Sequence, residues 1–442
     1  MNKKSTHLKD TVFLALPIVA TQIGHVFTGI ADNYFLGQIG KTEQAAGISA
    51  NGIFVLLLVF LIGMSYAATP LVAGAEVKKD NLLKAAIFKN SLFLNSLVAT
   101  LAFIVLFLMS PLMDYLQQPE DVVKLSKPFF NVLIFSMIPV SLFFTCKQYA
   151  EGLSNTKAAM YISISGNVIN IVLNYSLIYG KWGMPALGYM GSAWATFIAR
   201  CFMGVSFLVY VFYHPQTNEL KKLWFSVRIK IEQLNPIWKI GINSAMQFTF
   251  EVAAFVIALF MTGKFGKEAI DAHGIAITLA SFTYMFASGI SSASTIRVSH
   301  FAALKNRAET KKAGNMGVML VLLCMGIFAI IFAGLSNVLP RIFTNDEQIL
   351  NLTSRLLVIA AFFQLFDGLQ VTSIGILRGM EDVKFPTYIT LIGYWVLALP
   401  LAYLLGFVFK MEVVGIWWAL TFSLVFVGLI LYWRFWYLMK KP

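Results

Sequence analysis

The sequence has little charge for its length. Only 12% of its 442 residues are Asp, Glu, Lys or Arg, whereas 58% are hydrophobic and the mean hydropathy is +0.74. A soluble domain carries roughly 25% charged residues. This deficit excludes a soluble enzyme and a disordered chain. The three cysteines (Cys146, Cys201 and Cys324) have no metal-ligand spacing and predict no disulfide framework.

Long apolar runs take the place of the missing charge. Each is long enough to cross a hydrocarbon core of roughly 30 Å, and none has the alternation of β-barrel strands. The sequence therefore predicts an all-α integral membrane protein with twelve transmembrane helices. The predicted spans are 11–36, 48–75, 86–110, 128–149, 158–180, 186–213, 234–262, 272–295, 313–336, 353–376, 385–406 and 413–437.

Lys and Arg are distributed unequally between the two sides of these spans. The side that holds both termini has 24 of them and the other side has 8. Because basic loops stay in the cytoplasm, both termini are predicted to be cytoplasmic. The short loops predict the bacterial cytoplasmic (inner) membrane. The asymmetry and anionic lipids explain the net charge of +13, so we expect no nucleic-acid partner.

The chain contains an internal repeat. The segment 37–47 resembles 263–274, and the segment 151–157 resembles 378–384. The members of the two pairs are separated by nearly the same length of chain, and two separate matches at nearly one offset predict a duplication. Since each half has an even number of spans, the repeat is parallel, with a pseudo-twofold axis along the membrane normal, as in many transporters.

The repeat defines a domain organisation. An N-terminal six-helix lobe is predicted at 1–213 and a C-terminal six-helix lobe at 234–442. The basic cytoplasmic loop 214–233 links them.

Three acidic residues lie inside apolar spans: Asp32, Glu251 and Asp367. An Asp at the centre of a membrane helix costs about 2.5–3.5 kcal/mol on insertion scales. Intramembrane carboxylates are therefore candidates for a functional site, although one near the end of a span, as Asp32 is, can also reach the interface.

Other polar residues share a helix face with these acids. Polar faces in a membrane must contact protein or a water-filled cavity. Hydrogen bonding between helices is the alternative interpretation, and it suffices for a stripe without an acid. The stripes are Thr21, His25, Thr28 and Asp32; Ser163, Asn167, Asn170 and Asn174; Asn243, Gln247 and Glu251; and Gln364 and Asp367.

The acids are not duplicated with the repeat. One acid lies in the first half and two lie in the second, which favours two chemically distinct cation sites. Carboxylate, amide and hydroxyl oxygens suit Na⁺, whereas desolvated carboxylates suit H⁺. The residues alone leave both ions open.

The chain resembles the multidrug and toxic compound extrusion (MATE) family, and in particular its bacterial NorM-type branch. The resemblance covers essentially the whole chain. It rests on the six-plus-six repeat and on Leu16-Pro17, Asp32, Glu151-Gly152, Leu173-Asn174-Tyr175, Glu251, Phe366-Asp367-Gly368-Leu369-Gln370 and Arg378-Gly379.

This resemblance implies antiport, in which organic cations such as drugs and dyes leave as Na⁺ or H⁺ enters. It implies a cation site at Glu251 and Asp367, where Na⁺ is the candidate metal ion. It also implies an acidic site in the first lobe. One departure is Phe363, where well-known NorM-type members have Tyr; its missing hydroxyl removes an oxygen ligand. The first-lobe site comprises Asp32, Asn170, Asn174 and Thr196, with His25 on the same face as Asp32.

Two other functions are weighed against export. A lipid-linked precursor flippase of the same superfamily would carry several cations in its cavity, and only Arg200 lies deep in a span here. An intramembrane enzyme would need a convergent catalytic set, and neither His25 nor His273 belongs to one. We therefore expect no enzyme activity and no cofactor besides the coupling ion. We also expect the protein to function as a monomer in the bilayer. Residues predicted to support the ion site are Asn243, Gln247, Gln364 and Phe363.

Overall fold

The computed structural model describes residues 3–115, 119–214 and 217–440. Lys441, counted above among the basic residues, and positions 215 and 216 of the predicted linker lie outside the described residues. All regular elements of the described part are helical. This confirms the predicted all-α fold.

The first half of the chain forms helices separated by short turns. Asp80 and Asn155 cap two of them, because each side chain accepts a hydrogen bond from a first-turn N–H group. The helices are α1 (Lys3–Ile39), α2 (Lys41–Ser65), α3 (Ala68–Val77), α4 (Asn81–Met109), α5 (Glu120–Phe135), α6 (Met137–Gly152), α7 (Thr156–Tyr179) and α8 (Met190–Tyr213), with a 3₁₀ turn at Ser110–Tyr115.

The second half follows the same pattern after a short helix. Its penultimate span is irregular, because π-helical turns at Ile392–Ala398 and Leu404–Val408 interrupt the α-helix. The elements are α9 (Asn218–Leu223), α10 (Ile231–Thr262), α11 (Lys267–Ala303), α12 (Arg307–Gly334), α13 (Glu347–Gly379), α14 (Lys384–Leu391), α15 (Leu399–Tyr403) and α16 (Glu412–Lys440), with 3₁₀ turns at Gly263–Phe265 and Leu339–Ile342.

Eleven helical segments of the described chain are long and apolar enough to cross a membrane, and a bent pair makes a twelfth span. The bent pair is α5 and α6, which meet at 42°. The break at Ser136 precedes Pro139, which has no N–H group to donate to the carbonyl of Phe135. The predicted fourth span at 128–149 therefore corresponds to this bent pair, and the count of twelve is confirmed.

The described chain divides into two compact units. The N unit comprises residues 20–245, and the C unit comprises residues 1–19 and 246–442. These boundaries differ from the predicted lobes because two long helices, α1 and α10, pass from one unit to the other along their length. The first turns of α1 therefore pack with the second half of the chain.

Small residues allow the helices of the C unit to approach closely. On α11, Ala269, Ala272, Ala276 and Ala280 recur at three- and four-residue spacing, are at most 5% exposed and belong to one apolar cluster with Trp417 of α16. Close packing of small residues is how membrane helices associate without a hydrophobic driving force between them. This packing holds α10, α11, α13 and α16 together around Glu251 and Asp367.

Candidate functional site

The acidic site of the N unit is built around Asp32 on α1. Its carboxylate accepts hydrogen bonds from Asn174 Nδ2 at 2.8 Å and from Thr196 Oγ1 at 2.9 Å. Asn170 donates to Thr196 Oγ1 at 3.2 Å, and its Oδ1 accepts from Asn174 at 3.2 Å. Helices α1, α7 and α8 thus bring together the four residues that the sequence analysis grouped. Asp32 is only 9% exposed, so its charge depends on these donors.

His25 lies two turns before Asp32 but has different neighbours. Its ring lies 5.8 Å from the ring of Phe143 and 5.9 Å from that of Phe144. Its Nε2 atom is buried and has no hydrogen-bond partner among the described residues. One turn later, Thr28 donates to Asn167 Oδ1 at 2.7 Å. The polar face of α1 is therefore continuous, although His25 makes no direct contact with the Asp32 carboxylate.

A buried ion pair lies in the same unit. Lys147 and Glu151 of α6 have side chains that are 2% and 1% exposed, with Nζ and Oε1 3.5 Å apart. The ammonium group also reaches Gln22 Oε1 at 3.5 Å. The sequence analysis named only Arg200 as a cation deep in a span, but α6 continues to Gly152 and turns Lys147 inward as well. Arg200 is therefore not the only cation buried among the helices.

Arg200 is oriented by neutral groups. Its Nη1 donates to Ser136 Oγ at 2.7 Å, and the guanidinium carbon lies 4.8 Å from the centre of the Phe54 ring. It is also close enough to Asp32 for electrostatic attraction. The N unit thus combines a hydrogen-bonded carboxylate with a nearby cation.

The second acidic site belongs to the C unit. Glu251 on α10 is partly buried, and Asp367 on α13 is 4% exposed. The two carboxylates are close enough to repel each other electrostatically. Among the ion pairs of the described residues, none includes either carboxylate. Two adjacent acids without a cationic partner form a site that favours a bound proton or cation.

Tyr394 completes this site from the π-helical turn of the penultimate span. Its hydroxyl lies beside Glu251 and accepts a hydrogen bond from Gln370 Nε2 at 2.8 Å. Tyr394 and Gln370 are both 0% exposed. The site therefore offers two carboxylates and a phenol hydroxyl from three separate spans.

The residues predicted to support the ion site do not all lie in the C unit. Gln247 donates to Val383 O at 3.2 Å and to Thr387 Oγ1 at 2.9 Å, so it ties α10 to the start of α14. Asn243 bonds within α10 to Lys239 O at 2.7 Å and belongs to the N unit.

Gln364 and Phe363 precede Asp367 on α13. Gln364 is 1% exposed, and its amide atoms have no hydrogen-bond partner among the described residues. The ring of Phe363 packs 5.6 Å from that of Trp417 and 6.0 Å from that of Phe255. Phe363 is thus part of the apolar core.

Sequence reasoning missed Tyr394 and Gln370. Gln364, Asp367 and Gln370 recur at every third position, and this continuation of the stripe was the available signal for Gln370. Tyr394 gave no signal, because aromatic residues are common in membrane spans. Within the described residues, no three His, Cys, Asp or Glu side chains gather as a metal cluster. A site of carboxylate and hydroxyl oxygens suits a hard monovalent cation better than a transition metal.

Comparison with known proteins agrees with this geometry. The MatE family model matches the chain twice, at residues 17–176 and 244–404. The second match begins as far after the first as the repeated segments of the sequence lie apart. One model that matches both halves confirms the duplication.

Curated relatives match nearly the full chain. A probable multidrug resistance protein NorM of Pseudomonas putida is 29% identical, with 99% of this chain and 96% of the relative covered. The corresponding protein of Agrobacterium fabrum is 28% identical, with 99% and 95% covered. The crystal structure of the eukaryotic MATE transporter AtDTX14 superposes with a TM-score of 0.89 at 17% identity, covering 99% and 97% of the two chains. The fold is thus the twelve-helix, two-lobe fold of these transporters.

Proposed function

Since the chain belongs to the MatE family, we propose that it is a secondary active multidrug exporter of the NorM type. It moves organic cations, such as drugs and dyes, out of the cell in exchange for Na⁺ or H⁺. A transport function, rather than a catalytic one, agrees with the solved structures that the chain resembles, because those proteins are transporters. The bacterial inner membrane, with both termini in the cytoplasm, is the proposed location, and the monomer is the proposed functional form.

The observation that carries this proposal is the acidic pair of the C unit. Glu251 and Asp367 lie among apolar helices, and the described residues supply neither with an ion-pair partner. Burying two like charges is costly unless a proton or a cation neutralises them. The coupling ion is the natural source of that neutralising charge in a membrane protein.

The Asp32 cluster of the N unit forms a second, distinct cation site. Its carboxylate already accepts two hydrogen bonds from Asn174 and Thr196, which stabilise the charged form. A positive substrate or a proton therefore competes with fixed donors there. The two acidic sites differ in their donors, and this difference supports separate roles for them.

Exchange follows from competition for negative charge. When a coupling ion occupies an outward-facing carboxylate, the site loses its attraction for a cationic substrate, which is released. After return to the inward-facing state the ion dissociates, and the freed carboxylate binds substrate again. Alternating access needs this differential affinity between states, because a ligand that binds both states equally shifts nothing.

The proposal predicts that Glu251→Gln and Asp367→Asn each abolish gradient-driven export. We would reconstitute the protein in liposomes and follow efflux of a fluorescent organic cation under an inward Na⁺ gradient alone, and then under a pH gradient alone. Either variant should lower efflux to the level of protein-free liposomes, because a neutral amide cannot exchange charge with the ion. The gradient that drives wild-type efflux identifies the coupling ion.

Glu268→Gln is the matched control, because it makes the same acid-to-amide change at an exposed position in the first turn of α11. It should leave efflux unchanged. Normal efflux by Glu251→Gln and Asp367→Asn, at equal protein content, would contradict the assigned ion site. Failure of wild-type protein to move any of several cations under either gradient would contradict drug export.

A lipid-linked precursor flippase is the second candidate, and Lys147 is the observation in its favour. This buried cation, together with Arg200, would attract phosphate. Its ion pair with Glu151 cancels that charge, however, which ranks the flippase below cation export. Flipping of a lipid-linked sugar in the absence of cation efflux would reverse the order.

A further inference from the structure

The linker between the two halves of the chain is fastened to α4. Lys89 Nζ donates hydrogen bonds to the carbonyl oxygens of Trp224 at 2.9 Å and Val227 at 2.8 Å. Asn90, the next residue of α4, donates through Nδ2 to Gln233 Oε1 at 3.0 Å. A lysine that binds two backbone carbonyls fixes the course of the loop around it. The linker therefore has a defined place on the N unit.

The inner side of the linker is buried by apolar packing within the same unit. The ring of Trp224 lies 6.1 Å from that of Phe88 and 5.0 Å from that of Phe212. Leu220 and Val227 are only 3% and 6% exposed. Because this side is already occupied, the remaining side chains of the linker are left on its outer side.

Two large apolar side chains lie on that outer side. Phe225 is 91% exposed and Ile231 is 84% exposed, which is more than Phe260 and Ile330 within the membrane-spanning helices. The linker joins the end of α8 at Tyr213 to the start of α10, so both side chains lie near the membrane surface. Removing apolar side chains from water is favourable, and the bilayer is the apolar phase beside them.

Basic side chains accompany these apolar ones. The segment 217–231 contains four basic residues and one acidic residue. The acid, Glu219, lies 2.9 Å from the ammonium group of Lys222. Among the ion pairs of the described residues, none includes Arg228 or Lys230, and both are exposed. Basic clusters beside a membrane span attract anionic lipid headgroups.

We propose that the outer side of the linker is a docking surface for anionic phospholipid. Its basic side chains bind headgroup phosphates, and its apolar side chains enter the boundary between headgroups and acyl chains. The lipid belongs to the leaflet on the side proposed as cytoplasmic. Because the linker continues directly into α10, this contact holds the first turn of α10 at the membrane surface. The linker surface comprises Lys221, Lys222, Phe225, Arg228, Lys230 and Ile231.

The test is the depth of the linker in bilayers of two compositions. A spin label would be attached at Ser226→Cys, an exposed position outside the linker surface, in a variant in which Cys146, Cys201 and Cys324 are replaced. The protein would be placed in nanodiscs of phosphatidylcholine alone or of an equal mixture with phosphatidylglycerol. In the anionic discs, the label should become more accessible to oxygen and less accessible to a water-soluble nickel chelate. High salt should reverse this change, because it screens the attraction between basic side chains and phosphates.

A charge variant and a matched control identify the groups that bind lipid. Arg228→Gln/Lys230→Gln should lower the ratio of lipid-inserted to water-exposed label by about tenfold or more, since each basic residue near an anionic surface contributes a factor of about five to binding. Lys78→Gln/Lys305→Gln removes the same charge from exposed turns on the same predicted side and should leave the ratio unchanged. Phe225→Ser should reduce the depth of the label in both compositions, because apolar insertion does not require headgroup charge.

Three results would overturn the proposal. Equal access of the nickel chelate to the label in both compositions would show that the linker surface stays in water. An equal loss in the two charge variants would show that overall charge, rather than this surface, attracts the lipid. Spectral broadening that appears only with more than one protein molecule per disc would assign the surface to a second copy of the chain. None of these measurements requires transport, so the lipid contact and the proposed export can fail independently of each other.

Discussion

Lys147 and Glu151 are removed from solvent almost completely, yet their charged atoms are 3.5 Å apart and neither carboxylate oxygen accepts a hydrogen bond from the described residues. A buried pair of this kind contributes little net stability, because desolvation offsets the attraction between the charges. Removing one partner is different, since it leaves an uncompensated charge in an apolar environment. The pair is therefore sensitive to single but not to paired substitution.

We predict that Lys147→Met or Glu151→Gln lowers stability by about 3–5 kcal/mol, the usual effect of breaking a buried ion pair. The double variant Lys147→Met/Glu151→Gln should recover most of this loss, because both charges are gone. The apparent melting temperature in detergent measures the effect. The exposed pair of Lys222 and Glu219 is the matched control and should change little when broken. Equal losses in the double and the single variants would contradict the coupling of the two charges.

Single residues differ in how well the sequence predicts them. The grouping of Asp32 with Asn170 and Asn174 was predictable, because helical spacing places amides on one face and a lone acid in a span needs partners. The burial of Lys147 was not predictable, because a shift of a few residues at the end of a span decides whether a lysine side chain lies among the helices or in solvent. Tyr394 was not predictable either, since its direction depends on a π-helical turn that the apolar pattern does not encode.

At the scale of helices, the start of α1 is fastened to α11 and α12 within the C unit. Arg297 of α11 donates to the carbonyl of His7 at 2.5 Å and to Thr11 Oγ1 at 2.8 Å. His7 Nε2 lies 2.8 Å from Glu309, near the start of α12. One buried guanidinium thus binds the first turns of α1 through both backbone and side chain. Together with the apolar cluster that Leu14 and Ile18 form with α11, these contacts join residues 1–19 to the second half of the chain.

We predict that Arg297→Met loosens this end of α1. The amide hydrogens of residues 8–19 should exchange with solvent faster than in the wild-type protein, by tenfold or more on the usual relation between free energy and rate. Hydrogen–deuterium exchange with peptide mass spectrometry measures this. Lys267→Met, at the exposed beginning of the same α11, is the control and should leave α1 unchanged. Unchanged exchange in Arg297→Met would show that other contacts hold the helix.

Helix positions were predictable from the sequence where apolar runs are uninterrupted, and less so where the backbone departs from a regular helix. In the fourth span Pro139 marks a place where a helix can bend, but the apolar pattern alone does not give the 42° angle observed at Ser136. The first turns of α1 join the C unit through Arg297 and through the apolar cluster that Leu14 and Ile18 form with α11, and these partners lie far away in sequence. The hydropathy pattern predicts the length of a helix but does not show which other helices it packs against.

For the whole molecule, duplication and membrane embedding were both readable from the sequence. The repeat that pairs 37–47 with 263–274 agrees with the two matches of one family model, which begin at 17 and 244. An apolar surface supports membrane embedding, since residues such as Phe260 and Ile330 are more than 70% exposed. Lipid rather than water is the solvent in which such side chains are stable. The sidedness of the chain remains a prediction from its basic loops.

We predict that the loops with few basic residues face the outside of the cell. Single cysteines would be introduced in a variant in which Cys146, Cys201 and Cys324 are replaced. Cysteine at Lys181 or Lys410, both exposed between spans, should react with a membrane-impermeant maleimide in intact cells.

Cysteine at Lys78 or Lys305, exposed on the opposite and more basic side, should react only after the membrane is permeabilised. The reason is that Lys and Arg near the ends of spans are retained in the cytoplasm during insertion. All four positions lie in turns outside the acidic sites, so efflux should be preserved and serves as the control for folding. The reverse labelling pattern would place both termini outside and would reverse the direction of the proposed exchange. Labelling of all four positions in intact cells would contradict a fixed orientation.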